Sequence, residues 1–101
     1  MFQLVLQFAP WSDREFDDLI RLEDKLGSVV GSSAIDGHDL GSNEANVFVL
    51  TEDPTAALQT CLPVIREASL LWKFSAGYRS LQQDEYSRIW PTGDSSAFSV
   101  K

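Results

Sequence analysis

One cysteine, Cys61, one histidine, His38, and one methionine are all that this chain of 101 residues holds of those types. A lone thiol closes no internal disulfide, so the covalent chemistry calls for no oxidising compartment. Paired-cysteine, H-E-x-x-H and Ca²⁺-loop patterns are absent as well. No stretch approaches the ~18 consecutive apolar residues of a membrane helix, so a membrane is not an expected partner. No basic segment precedes the first apolar residues, and Gln3 and Gln7 interrupt what a signal peptide would need, which makes a cytoplasmic protein the expectation. Glycines 27, 31, 37 and 41 fit neither G-x-G-x-x-G nor a P-loop, and no cofactor is expected. Basic side chains are scarce, 8 against 15 acidic ones, for a net charge of −7. A surface of that sign repels phosphate backbones, so nucleic acid is not an expected partner either.

What is present suits one globular domain. An apolar share of 44% with 11% aromatic residues is too high for a disordered chain. A chain of this length buries roughly 65% of the surface its unfolded form exposes, enough for one core. The acidity is lopsided: residues 1–53 carry eleven acidic and three basic side chains, and residues 54–101 four acidic and five basic ones. A basic protein partner or a cation therefore suits the first half.

Phe2, Leu4, Leu6 and Phe8 alternate with Gln3, Val5 and Gln7, the period of a half-buried strand. Ser12-Asp-Arg-Glu15 reads as a capping box, flanked by Trp11 and Phe16 at the positions of a hydrophobic staple. The helix it opens is expected over 13–26, with Gly27 as its stop. Phe16, Leu19, Ile20, Leu22 and Leu26 form its buried stripe, and Glu23 falls inside that stripe. A strand over about 32–38, a turn over 40–44 and a strand over 45–51 make a hairpin, the small-residue first arm at an edge. Asp53-Pro54 starts a second helix, in which Pro63 is expected to produce a bend or break. Strands over 70–78 and 85–90 follow, ended by Pro91. Residues 92–101 read as a flexible tail, leaving 1–91 as the folded domain.

The order β-α-β-β-α-β with an appended strand predicts an α+β, ferredoxin-like split βαβ fold, an antiparallel sheet with two helices on one face. The wording Asp36-Gly-His-Asp-Leu-Gly-Ser-Asn-Glu-Ala-Asn-Val-Phe-Val-Leu-Thr-Glu-Asp-Pro54, with Gly77-Tyr78-Arg79, Asp84-Glu85-Tyr86 and Trp90-Pro91, resembles a group of small bacterial proteins of uncharacterised function. The resemblance spans about half the chain and implies a bacterial, soluble, ferredoxin-like domain. It brings no catalytic residues with it.

Polar chemistry concentrates between Asp36 and Asn46. If the hairpin turn centres near Ser42, His38 lies opposite Asn46, and Asp36, His38, Asp39, Glu44 and Asn46 become a candidate ligand or divalent-metal site. The plainer reading, which we favour, spends the same groups on backbone hydrogen bonds of the turn. Glu23 could mark a site by burial, or more simply bend to the rim and meet Arg79 or Arg88. Those two arginines could hold an anion beside the aromatic set Trp72, Phe74, Tyr78, Tyr86 and Trp90, which otherwise reads as core and cross-strand ladder. Cys61 lies on the apolar side of the second helix and is expected to be an inert thiol. No nucleophile is placed beside His38, and no catalytic set is assigned. The leading expectation is a non-catalytic protein-interaction or regulatory module, with an immunity- or inhibitor-like protein and a homodimer as its versions. The alternative is small-molecule or metal binding at the hairpin.

Overall fold

The computed structural model describes residues 1–101. It contains the strands β1 (Phe2–Phe8), β2 (Ile35–Gly41), β3 (Glu44–Thr51), β4 (Phe74–Ser80) and β5 (Ser87–Trp90), with the helices α1 (Phe16–Val30) and α2 (Pro54–Glu67). Single 3₁₀ turns at Asp13–Glu15, Ser32–Ala34 and Leu71–Lys73 lead into α1, β2 and β4. The strands form one antiparallel sheet in the order β2-β3-β1-β4-β5. The protein is thus an α+β domain built on a five-stranded antiparallel sheet and two helices.

The alternation along β1 decides which face is the core. Leu4 pairs with Val49 and Tyr78, Leu6 with Val47 and Ala76, Phe8 with Ala45 and Phe74. Paired residues project from the same side of a sheet, so these make one apolar face. It packs against Leu19, Leu22 and Leu26 of α1 and Leu58, Cys61, Leu62 and Ile65 of α2 in one continuous core. The odd positions Gln3, Val5 and Gln7 face the other way.

Local signals account for the helix starts. The Ser12 hydroxyl accepts from the Arg14 amide, and the Glu15 carboxylate accepts from the Ser12 amide. Asp53 accepts from the Ala56 amide, with Pro54 at the first helical position. The expected Trp11–Phe16 staple does not form. The 3₁₀ turn changes the helical phase, leaving Phe16 46% exposed while Trp11 is buried against Phe8. Nor does Gly27 stop α1. It is a buried interior residue of the helix, which ends at Gly31, where φ is +94°. Pro63 leaves α2 a single element, its ring on the exposed side.

Boundaries shift elsewhere for a common reason. Residues 32–34 and 71–73 form 3₁₀ turns rather than strand, so β2 begins at Ile35 and β4 at Phe74. Trp72, placed by sequence on the strand face of Phe74 and Ala76, falls in such a turn and is 75% exposed.

Candidate functional site

The hairpin turn consists of two residues, Ser42 and Asn43, both with positive φ (53° and 62°), the backbone of a type I′ connection. Its register pairs Gly41 with Glu44, Leu40 with Ala45, Asp39 with Asn46 and His38 with Val47. The expected pairing of His38 with Asn46 is therefore off by one residue, and in a strand one residue reverses the face. His38 joins the side of Val47, toward the helices; Asp39, Glu44 and Asn46 take the opposite side. A bulge between Ile35 and His38, with Gly37 at φ +95°, separates Asp36 from this register.

The candidate residues thus form two separate groups. On the helix side, His38 Nδ1 lies 3.2 Å from Glu23 Oε2, and the imidazole meets the Phe16 ring edge-on at 5.9 Å. Glu23 finds its partner in His38 and not in Arg79 or Arg88, which lie across the sheet. This pair borders a shallow groove of about 700 Å³ between α1 and β2, lined also by Asp24, Ser28 and Ser32. Asp36 and Asp39 are exposed and enter no ion pair. No three His, Cys, Asp or Glu side chains come close enough together to hold a metal ion.

The second group is a buried polar layer on the face away from the helices. Asn46 is fully buried and Glu44 nearly so. Gln7 Nε2 donates to Glu44 Oε2 (3.2 Å), to Asn46 Oδ1 (3.1 Å) and to the Ser99 carbonyl (2.9 Å). Asn46 Nδ2 donates to Glu44 Oε2 at 3.0 Å, and so does the Lys101 amide. The Ser75 hydroxyl donates to Gln7 Oε1 at 3.3 Å. No buried side-chain polar atom is left without a partner.

The C-terminal segment closes this layer. Phe98 is buried against Gly77, which pairs with Val5 in β1. Arg88, opposite Gly77 in β5, donates to the carbonyls of Ser96 (3.0 Å) and Ala97 (3.0 Å) and lies 5.4 Å from the Phe98 ring. Tyr86 meets Phe98 edge-on at 5.6 Å. Asp94 accepts from both the hydroxyl and the amide of Ser96, bonds that hold its carboxyl below the usual carboxylate range. Residues 92–101, read from sequence as a flexible tail, therefore lie along the sheet in contact with β1, β3, β4 and β5. Arg79 binds Gln3 Oε1 and the Gln83 carbonyl (3.0 Å each), and Tyr86 donates to the same Gln3 oxygen. Both arginines spend donors on the protein itself.

Sequence reasoning missed the tail contact and the roles of Gln7 and Phe98. One signal pointed to it: a glycine inside a strand marks a place where other atoms come close. Cys61 lies in the core, where burial pushes its thiol up to about 11. Comparison with protein-family models, curated proteins and solved structures finds no match to this chain. No helix is long and apolar enough to cross a membrane.

Proposed function

We propose that this chain is a non-catalytic protein-interaction module of the inhibitor or immunity type, whose acidic flank masks a basic partner. The observation that carries the reading is the set of exposed carboxylates on α1, its preceding turn and β2. Asp13, Asp17, Asp24 and Asp36 are all exposed and enter no ion pair, while Asp18 is matched by Arg21; Asp39, also exposed and unpaired, belongs to the other face of the sheet. Like-charged groups left unpaired on one side raise the encounter rate with an oppositely charged surface. The groove between α1 and β2 gives that side a concave relief. β2 also ends the sheet, so its outer backbone edge has no strand partner.

The proposal includes a ferredoxin-like architecture, supported by the run β2-β3-β1-β4 with β5 added beyond β4. It also includes a bacterial, cytoplasmic setting, which rests on the resemblance of residues 36–54 and 77–91 and on the free buried thiol of Cys61. The rival hairpin ligand site loses the shared space it needs, since His38 and the pair Glu44 and Asn46 belong to opposite faces.

The test is association kinetics with a captured partner, for the natural chain and for a D13N/D17N/D24N/D36N variant. The reading expects a basic partner whose on-rate falls at least about tenfold between 50 and 500 mM salt, with most of that sensitivity lost in the variant. A partner whose contacts all lie beyond Thr55 would contradict it.

A further inference from the structure

The two edges of the sheet differ. β5 has 4 residues, and its Arg88 is engaged by the C-terminal segment. β2 has 7 residues, with neither the lysine nor the proline that commonly keeps an edge from pairing. In a two-residue hairpin the residues beside the turn, Gly41 and Glu44, exchange both backbone bonds, so β2 reaches β3 through Gly41 and Asp39. The backbone N–H and C=O of His38 and Leu40 therefore point outward, and none of them enters a turn, loop or cap bond. In a strand added along this edge, the residue opposite His38 would project on the helix side of the sheet.

That side holds the groove between α1 and β2. Gly37, in the bulge, lines it and has open space where a Cβ would stand, so the groove reaches the edge. Its lining is made of acceptors. Glu23 and Asp24 bring carboxylates. The Ser28 hydroxyl gives its hydrogen to the Lys25 carbonyl at 2.6 Å, which leaves only lone pairs for a visitor. A neutral His38 that gives its Nδ1 hydrogen to Glu23 keeps Nε2 as an acceptor. No lysine or arginine lines the groove, and no basic residue in the last turn of α1 offsets the negative end of that helix. A cation rich in donors complements all of these groups. Guanidinium suits them better than ammonium, because it spreads its donors in one plane and sheds water more readily beside a Glu23 side chain only 17% exposed. A second copy of the chain is a poor occupant, since pairing two β2 edges would bring the Asp36 and Asp39 carboxylates of both copies together.

We propose that β2 takes an extended segment of the partner protein as an added strand, with an arginine of that segment seated in the groove against Glu23 and Asp24. This rests on the reading of the acidic side as the partner-binding side and adds to it a site and a residue.

The probe is a synthetic peptide of about seven residues, threonine and valine alternating around one central arginine and both ends blocked. It is titrated into the ¹⁵N-labelled full chain at about pH 8. Saturable shifts are expected at the His38 and Leu40 amides together with those of Ser28 and Ser32. Affinity should fall at least about tenfold when norleucine replaces the arginine or when the protein is E23Q/D24N, and should stay within about twofold in D13N/D17N, which leaves the groove intact. A peptide N-methylated at the arginine and at the residues two positions away cannot donate to the edge and should lose binding. That arm leaves the protein unaltered, so it decides even where E23Q/D24N does not fold. Absence of saturable shifts at His38 and Leu40, or equal binding of the norleucine or N-methylated peptide, overturns the proposal. Failure of these peptides beside a captured partner whose on-rate remains salt-sensitive removes this site and leaves the acidic-flank reading standing. Saturable, arginine-dependent peptide binding beside a partner indifferent to salt does the reverse.

Discussion

Replacing Gly77 by alanine should drive the C-terminal segment from the sheet. The new Cβ would lie 2.4, 2.5 and 2.9 Å from three atoms of the Phe98 ring, too close for both to remain. Releasing a buried phenylalanine costs about 1.5–3 kcal/mol. Alanine returns about 0.5–1 kcal/mol, because glycine is a poor residue inside a strand and Gly77 has no left-handed backbone to accommodate. The net loss is about 0.5–2.5 kcal/mol, a fall in Tm of roughly 2–20 °C for a domain of this size. The same change should reverse sign in a Phe98→Ala background, where no ring is left to collide and only the backbone gain of about 0.5–1 kcal/mol remains. Urea unfolding of the four proteins, followed by far-ultraviolet circular dichroism, gives the coupling directly. If alanine at position 77 costs the same with and without Phe98, the segment does not lie where the contacts place it.

Cys61 ties stability to alkaline pH. Its folded thiol titrates near 11 and its unfolded thiol near 9.0, so above pH 9 the unfolded chain releases a proton that the folded chain keeps. Stability from this group is complete below pH 9 and drains away as pH rises toward 11, by about 2–3 kcal/mol. Denaturant midpoints at pH 8 and pH 11, compared with a Cys61→Ala variant to subtract the other groups that titrate there, should show that difference; identical slopes would contradict it. The tryptophans should separate cleanly. Trp11→Ala removes a buried ring packed on Phe8 and should cost about 3–5 kcal/mol, whereas Trp72→Ala, at 75% exposure, should stay within about 0.5 kcal/mol of the natural chain. Similar losses at the two positions, measured by urea unfolding, would contradict the placement of the turn before β4.

The sequence announces its strands and helices wherever one local signal dominates. The alternation of Phe2, Leu4, Leu6 and Phe8 against Gln3 and Gln7 gives the core face, and Asp53-Pro54 gives the start of α2. It is less informative where two readings differ by a single residue. Ser42-Asn43 lacks the Asn-Gly or Asp-Gly pairing that names a type I′ turn, yet both residues take positive φ. That choice sends His38 to one face and Asn46 to the other, so the polar cluster seen along the chain never meets in space. The 3₁₀ turns act similarly. By changing the phase just before α1 and β4 they expose Phe16 and Trp72, two rings that periodicity assigns to the interior. The tail was hidden for another reason. Its Ser-rich composition describes what faces water, while its one buried side chain, Phe98, is recognised only through Gly77, some twenty residues earlier in another strand.

The division of the hairpin between two faces is the claim on which the rest depends, and nuclear Overhauser contacts of the His38 imidazole test it most directly. The account predicts contacts from that ring to Phe16 and to the side chain of Val47, with the Asn46 side-chain amide touching Gln7 and the C-terminal segment instead. Contacts joining the His38 ring to Asn46 and Glu44 would reunite the cluster and contradict the account.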